Sequence, residues 1–321
     1  MIEYILFFVG IAFLLKGADF LVDGASSLAK RAGVSTLVIG LTIVAFGTSM
    51  PELVVNVLAA LAGNSEIAFG NIVGSNIANI LLILGVTASI TSLKVQRSTT
   101  WKEIPFSLLA ALVLLVFSIV FITDKFVLDS IFRFEGIILL LFFTIFLYYI
   151  IEMAKKDRAN KKKEDLEIKT LPYSKSAFFI LIGLFGLYLG GKWVVDGAVT
   201  FAQFLGVSDY FISLTIIALG TSLPELVTSI KAALKRDIDM AVGNVVGSNI
   251  FNIFWILGIT AIINPIKIPA SALFDLVFLL AISFVFFMFM FIGKRHELER
   301  WQGFSFVIMY VAYISYLIIR S

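Results

Sequence analysis

Cysteine is absent from the 321-residue chain, so no disulfide and no thiolate, catalytic or metal-binding, is available to it. Histidine occurs once, at His296, in a charged loop where a solvated side chain is expected. Lacking both ligand types, the sequence gives zinc and copper little to bind. Charge is scarce too: Asp, Glu, Lys and Arg make up 15% of the residues, against about 25% in soluble domains. The net charge is +3, with the basic residues gathered in loops, so no nucleic-acid-binding face is expected. No Ser/His or paired-Asp arrangement falls within the apolar segments, which argues against an enzyme.

What is present is hydrocarbon. The chain is 60% hydrophobic, its mean hydropathy is +1.02, and its apolar runs repeatedly reach the roughly 20 residues that cross a bilayer. An all-α polytopic membrane protein follows, with the lipid bilayer as its surroundings. Ten spans are expected near 2–22, 36–62, 68–91, 104–123, 131–151, 176–200, 208–234, 241–263, 272–292 and 302–319. The first carries Lys16, Asp19 and Asp23 near its end and is followed by no small-residue cleavage site, so it reads as a retained helix. Between the fifth and sixth lies AKKDRANKKKEDLEIKT (154–170), too charged to pack a core and expected to be a linker.

The two halves repeat. A shift of 173 residues lays LVDGASSLAKRAGVS (21–35) over VVDGAVTFAQFLGVS (194–208), and 45–85 matches 218–258 at 24 of 41 positions. The matches include Gly, Pro, Glu, Asn and Ser, so shared hydrophobicity does not explain them. The expected division is a five-helix repeat over 1–153 with its conspicuous segment at 36–91, a basic linker at 154–175, and a second repeat over 176–321 with its counterpart at 208–263. Five spans per half would insert the second copy upside down. Lysine and arginine favour cytoplasmic loops, and with both termini outside, 19 of the 25 basic residues fall inside, the linker included. Inverted repeats are a transporter architecture with the substrate site at the repeat interface.

The chemistry lies in two duplicated motifs. GTSMPE (47–52) recurs as GTSLPE (220–225), placing Glu52 and Glu225 deep in apolar segments where a carboxylate is costly unless it has a function. Pro51 and Pro224 should break their helices. Helical spacing sets Thr48 and Ser49 on the face of Glu52, and Thr221 and Ser222 on that of Glu225. A merely kinked packing helix would leave both glutamates uncompensated. GNIVGSNIAN (70–79) recurs as GNVVGSNIFN (243–252), giving a stripe of Asn71, Ser75 and Asn79. Alone it would equally suit a small-residue helix contact; beside two carboxylates it reads as a source of neutral oxygens. An all-oxygen donor set suits hard cations such as Ca²⁺ and Na⁺. Asp23 and Asp196, in matched VDGA segments, are expected at helix ends or interfaces rather than on an ion.

These paired motifs resemble the α-repeats of the cation/Ca²⁺ exchanger superfamily, in its sodium/calcium exchanger branch, and the resemblance covers the whole chain. It implies a prokaryotic-type Na⁺/Ca²⁺ antiporter working by alternating access, with Ca²⁺ and Na⁺ as substrates, no resident cofactor and no obligate protein partner. It implies ligands at Glu52, Glu225, Thr48, Ser49, Thr221, Ser222, Ser75, Ser248, Asn79 and Asn252, with the backbone carbonyls of Ala45 and Ala218. Asn252 stands where microbial and K⁺-dependent members often have aspartate, so K⁺-independent, electrogenic exchange is expected. H⁺- or K⁺-coupled Ca²⁺ antiport and a cation channel are the alternatives. A compact site within an inverted repeat argues against the channel, which needs a continuous path.

Overall fold

Each glutamate motif interrupts its helix in the same way. A computed structural model, describing residues 2–63, 65–122, 125–128, 130–159, 170–204, 218–269 and 272–320, shows a mostly helical chain. Helix α1 (Ile2–Ala32) is followed by α2 (Thr36–Thr48) and α3 (Met50–Leu61), which bend by 45° at a break. Helix α4 runs from Ser65 to Ile90, and α5 from Arg97 to Ser118. Next come α6 (Arg133–Ala159) and α7 (Tyr173–Phe204). A second broken pair follows, α8 (Ala218–Thr221) and α9 (Leu223–Leu234), then α10 (Ile238–Ile263), α11 (Ala272–Phe289) and α12 (Arg300–Arg320). Among the described residues seven helices are long and apolar enough to cross a membrane, and the α2–α3 pair makes an eighth.

Burial separates centre from periphery. In both α4 and α10, 78% of the apolar window is buried, against 22% in α6. Small residues bring the central backbones together. A Cβ on Gly40 would sit 2.9 Å from the Met240 carbonyl, and one on Gly243 3.0 Å from that of Leu37, so α2 and α10 touch where only glycine fits. Around this centre α1 and α7 pack antiparallel along a glycine seam, where Gly17 meets the Gly183 carbonyl, Gly190 that of Gly10 and Gly24 that of Ser176.

Among the described residues, π-helical turns lie within these central helices at Gly40–Val44 in α2, Asn79–Leu84 in α4 and Phe251–Leu257 in α10. The last two begin at or just before Asn79 and Asn252. Such turns widen a helix by one residue and are frequent at functional sites.

Three sequence expectations need correction. The chain is not purely helical: short antiparallel pairs join β1 (Leu93–Lys94) to β6 (Glu297–Leu298), β2 (Ile119–Ile122) to β3 (Lys125–Leu128), and β4 (Ser130–Ile131) to β5 (Ile266–Lys267). The fourth span therefore stops at Ser118 rather than 123, because the β-branched and aromatic run beyond it forms a hairpin. Residues 154–159 of the expected linker extend α6 instead. There the Asp157 carboxylate accepts bonds from the Ser35 N–H at 3.0 Å and the Ser35 hydroxyl at 2.6 Å, tying α6 to the start of α2. The stretches 160–169 and 208–217, within the expected linker and seventh span, lie outside the described residues.

Candidate ion site between the broken helices

The break in each pair falls on a serine. Ser49 has φ −84°, ψ 8°, and Ser222 has φ −86°, ψ 3°. A new helix starts immediately after, with Pro51 or Pro224 in its first turn, where a missing N–H costs nothing. Glu52 and Glu225 follow in those first turns, each 1% exposed. The proline thus helps to start the second helix rather than bending a continuous one.

The hydroxyls are arranged differently from the helical-face reading. Because the helix is broken at Ser49, its side chain does not run beside Glu52. Its hydroxyl donates to Glu225 Oε1 at 2.8 Å, while Ser222 donates to Glu52 Oε1 at 3.2 Å. Each half therefore supplies a hydroxyl to the other half's carboxylate. Ser248 lies 3.3 Å from Glu225 Oε1 and 3.0 Å from Ser49 Oγ. Thr48 Oγ1 sits 3.1 Å from Asn244 Oδ1, and Thr221 Oγ1 3.2 Å from Asn71 Oδ1, again across the halves.

Of the remaining expected ligands, Ser75 and the Ala45 and Ala218 carbonyls join this network. Ser75 Oγ lies 3.5 Å from the Ala218 carbonyl, which also accepts from Thr221 Oγ1 at 3.1 Å. The Ala45 carbonyl accepts from the Ser49 N–H at 3.0 Å. Asn79 Nδ2 donates to Asn249 Oδ1 at 2.9 Å. Among the described residues, Glu52 Oε2, Glu225 Oε2, Asn79 Oδ1 and both polar atoms of Asn252 are buried without a hydrogen-bond partner. Unsatisfied buried polar atoms are costly, and these five, four of them oxygens, all lie within the two duplicated motifs. No cluster of three or more acidic or histidine side chains accompanies them among the described residues, so neutral oxygens must complete any cation shell.

Four further residues belong to this network. Asn71 and Asn244 orient the two threonines, and Asn249 holds Asn79. Asn56 donates to the Glu52 carbonyl at 2.7 Å and leaves its own Oδ1 unpaired. Asn71, Asn244 and Asn249 lie in the duplicated Gly-Asn segments and Asn56 one turn beyond Glu52, so the sequence displays all four. Nor are the two glutamates the only buried acids. Glu103, Asp157, Asp237 and Asp275 are buried as well, bonded to Tyr149, Ser35, Ser26 and Tyr313 respectively; all four lie outside the two motifs.

The model of the sodium/calcium exchanger protein family matches residues 2–152 and 175–319. The chain belongs to the sodium/calcium exchanger family. Among its relatives, the sodium/calcium exchanger MaX1 of Methanosarcina acetivorans is 33% identical over 98% of both chains. The sodium/potassium/calcium exchanger 1 of Homo sapiens is 33% identical over 34% of this chain and 11% of its own. A structure of the sodium-calcium exchanger NCX_Mj, soaked with Na⁺ and Sr²⁺, superimposes with a TM-score of 0.83 at 31% identity over 98% of each chain. This exchanger-family membrane fold is thus shared along nearly the whole length.

Proposed function

We propose that the chain is a secondary antiporter that exchanges Na⁺ for Ca²⁺ by alternating access, with net charge movement and without K⁺. The observation that supports this best is the crossed pair of buried glutamates, each held by the other half's serine and each with one oxygen free. The cations would bind among Glu52, Glu225, Thr48, Ser49, Thr221, Ser222, Ser75, Ser248, Asn79 and Asn252, with the Ala45 and Ala218 carbonyls. One Ca²⁺ would cancel two ionised carboxylates. Three Na⁺, the number implied by the family resemblance, would leave the loaded site one charge positive.

The architecture belonging to this reading is ten spans in two oppositely inserted halves, 1–153 and 176–321. The 154–170 stretch would be cytoplasmic and both ends of the chain outside. Because the chain has no cysteine, a single Lys163→Cys tests this cleanly. A membrane-impermeant thiol reagent should label it in inside-out vesicles and not in intact cells; labelling in intact cells would invert the orientation.

The functional test is Na⁺-driven Ca²⁺ uptake into proteoliposomes free of K⁺, with voltage clamped by a permeant-anion gradient. Moving one charge per cycle couples transport to voltage at about 2.3 kcal/mol per 100 mV, so uptake should accelerate when the vesicle interior is made positive in a way that favours Na⁺ exit. Voltage-insensitive uptake would sink the charge argument. An absolute K⁺ requirement would overturn the part assigned to Asn252, whose neutral oxygen offers a further cation no carboxylate.

A further inference from the structure

The two ends of the ion path differ in charge although their sequences are duplicated. At the end where the linker flanks meet α1, with Leu171 N–H bonded to Ser27 and the Tyr173 hydroxyl to the Arg31 carbonyl, α1 is tied to α9 by ions. Lys231 Nζ lies 3.3 Å from Asp19, and Lys235 Nζ lies 3.6 Å from Asp19 and 2.8 Å from Asp23. Lys235 also donates to the Asp19 carbonyl at 3.2 Å. Both lysines sit at the C-terminal end of α9, where cations are favoured by the helix dipole.

Shifted by 173 residues, Asp19 and Asp23 become Lys192 and Asp196 on α7, while Lys231 and Lys235 become Leu58 and Ala62 at the end of α3. With Leu58 and Ala62 uncharged, these positions cannot tie α7 to α3 by ions. What is found there is an opening: a cavity of about 180 Å³, lined by Pro51, Val54, Lys192, Asp196, Thr221 and Pro224 among others. It runs between α7 and α3, the repeat mates of α1 and α9, and reaches Thr221 in the ion site. One end is open between two helices; at the other, their counterparts are bound by charge.

We propose that Asp19, Asp23, Lys231 and Lys235 form an ionic clasp that keeps the linker end of the path shut, leaving ions to enter from the opposite end. Opening the linker end requires α1 to part from α9 as α7 is parted from α3. The clasp touches no ion and acts by setting how often each end is open. The inference rests on the alternating-access reading above.

Val54 and Val227 are repeat mates; Val54 is exposed beside the cavity, and Val227 is partly buried in α9 below the clasp. In the cysteine-free chain, Val54→Cys and Val227→Cys report separately on the two ends through labelling by an impermeant thiol reagent applied to right-side-out or inside-out vesicles. With Lys235→Gln added, the rate at Val227→Cys should rise about threefold, the worth of one partly exposed pair, and the rate at Val54→Cys should fall. Lys235→Arg, which keeps the positive charge facing both Asp19 and Asp23, should leave both rates near the parent values. Unchanged labelling at both reporters with Lys235→Gln, or an equal rise with Lys235→Arg, would overturn the clasp. Ca²⁺ uptake by the parent chain is measured on the same vesicles. Its absence would sink the antiport reading alone, because the labelling rates judge the clasp independently.

Discussion

Glu52→Gln and Glu225→Gln are each expected to lower Ca²⁺ transport by more than a hundredfold while leaving a folded protein. The substitution keeps size and shape but removes one of the two negative charges in the centre. Ca²⁺ would then bring an uncompensated positive charge into a site whose carboxylates are 1% exposed. An unbalanced buried charge costs about 3–5 kcal/mol, which exceeds a hundredfold at about 1.4 kcal/mol per factor of ten. Each serine would still find a carbonyl oxygen on the new amide, so the crossed contacts need not collapse. Radiotracer uptake with the thermal midpoint as a control separates the two effects. Near-parent flux in either variant would place the cation elsewhere.

The second large effect is structural. At Gly183 a Cβ would lie 2.6 Å from the Leu21 backbone nitrogen and 2.8 Å from the Gly17 carbonyl. Both are main-chain atoms of α1, so no side chain can swing away to make room. Gly183→Val must push α1 and α7 apart along their seam, and overpacking of even ordinary cores costs about 1–3 kcal/mol. The expected result is loss of monodisperse protein in detergent, or a thermal midpoint lower by about 10 °C or more. Gly191→Ala is the matched control on the same helix, since its Cβ would meet nothing closer than 3.8 Å. Equal stability of the two variants would contradict the seam.

What the sequence made legible follows from period and duplication. Glu52 and Glu225 stood out because a carboxylate within a long apolar run is rare, and the repeat gave every residue of one motif a partner in the other. The helical period, however, placed Ser49 beside Glu52, and the break at that very residue sends its hydroxyl to Glu225 instead. No local pattern contains that information, since the partner lies 176 positions away. The π turns at Asn79 and Phe251 were likewise invisible, because they differ from an α-helix by a single hydrogen-bond register rather than by composition. Asn71 and Asn244 were visible as a polar stripe, yet their task of orienting threonines in the opposite half emerges only once α4 and α10 are placed. The hairpin after Ser118 was hidden by hydrophobicity: Ile, Val and Phe serve a membrane span and a strand equally well.

The crossed serine–glutamate bonds have a consequence for how such a molecule is assembled. Neither half contains a finished site: a first half alone would hold Glu52 without Ser222 and Ser49 without Glu225. During synthesis the crossed contacts come into being only when the second half has entered the membrane and docked, so a cation bound there as proposed would rivet together two pieces of chain made at different times. Mass action would then make that cation a stabiliser of the docked pair, by about 2.7 kcal/mol when it is present at a hundred times its dissociation constant. For the same reason a free-standing single half would have no complete cage until it met a second copy lying the other way up.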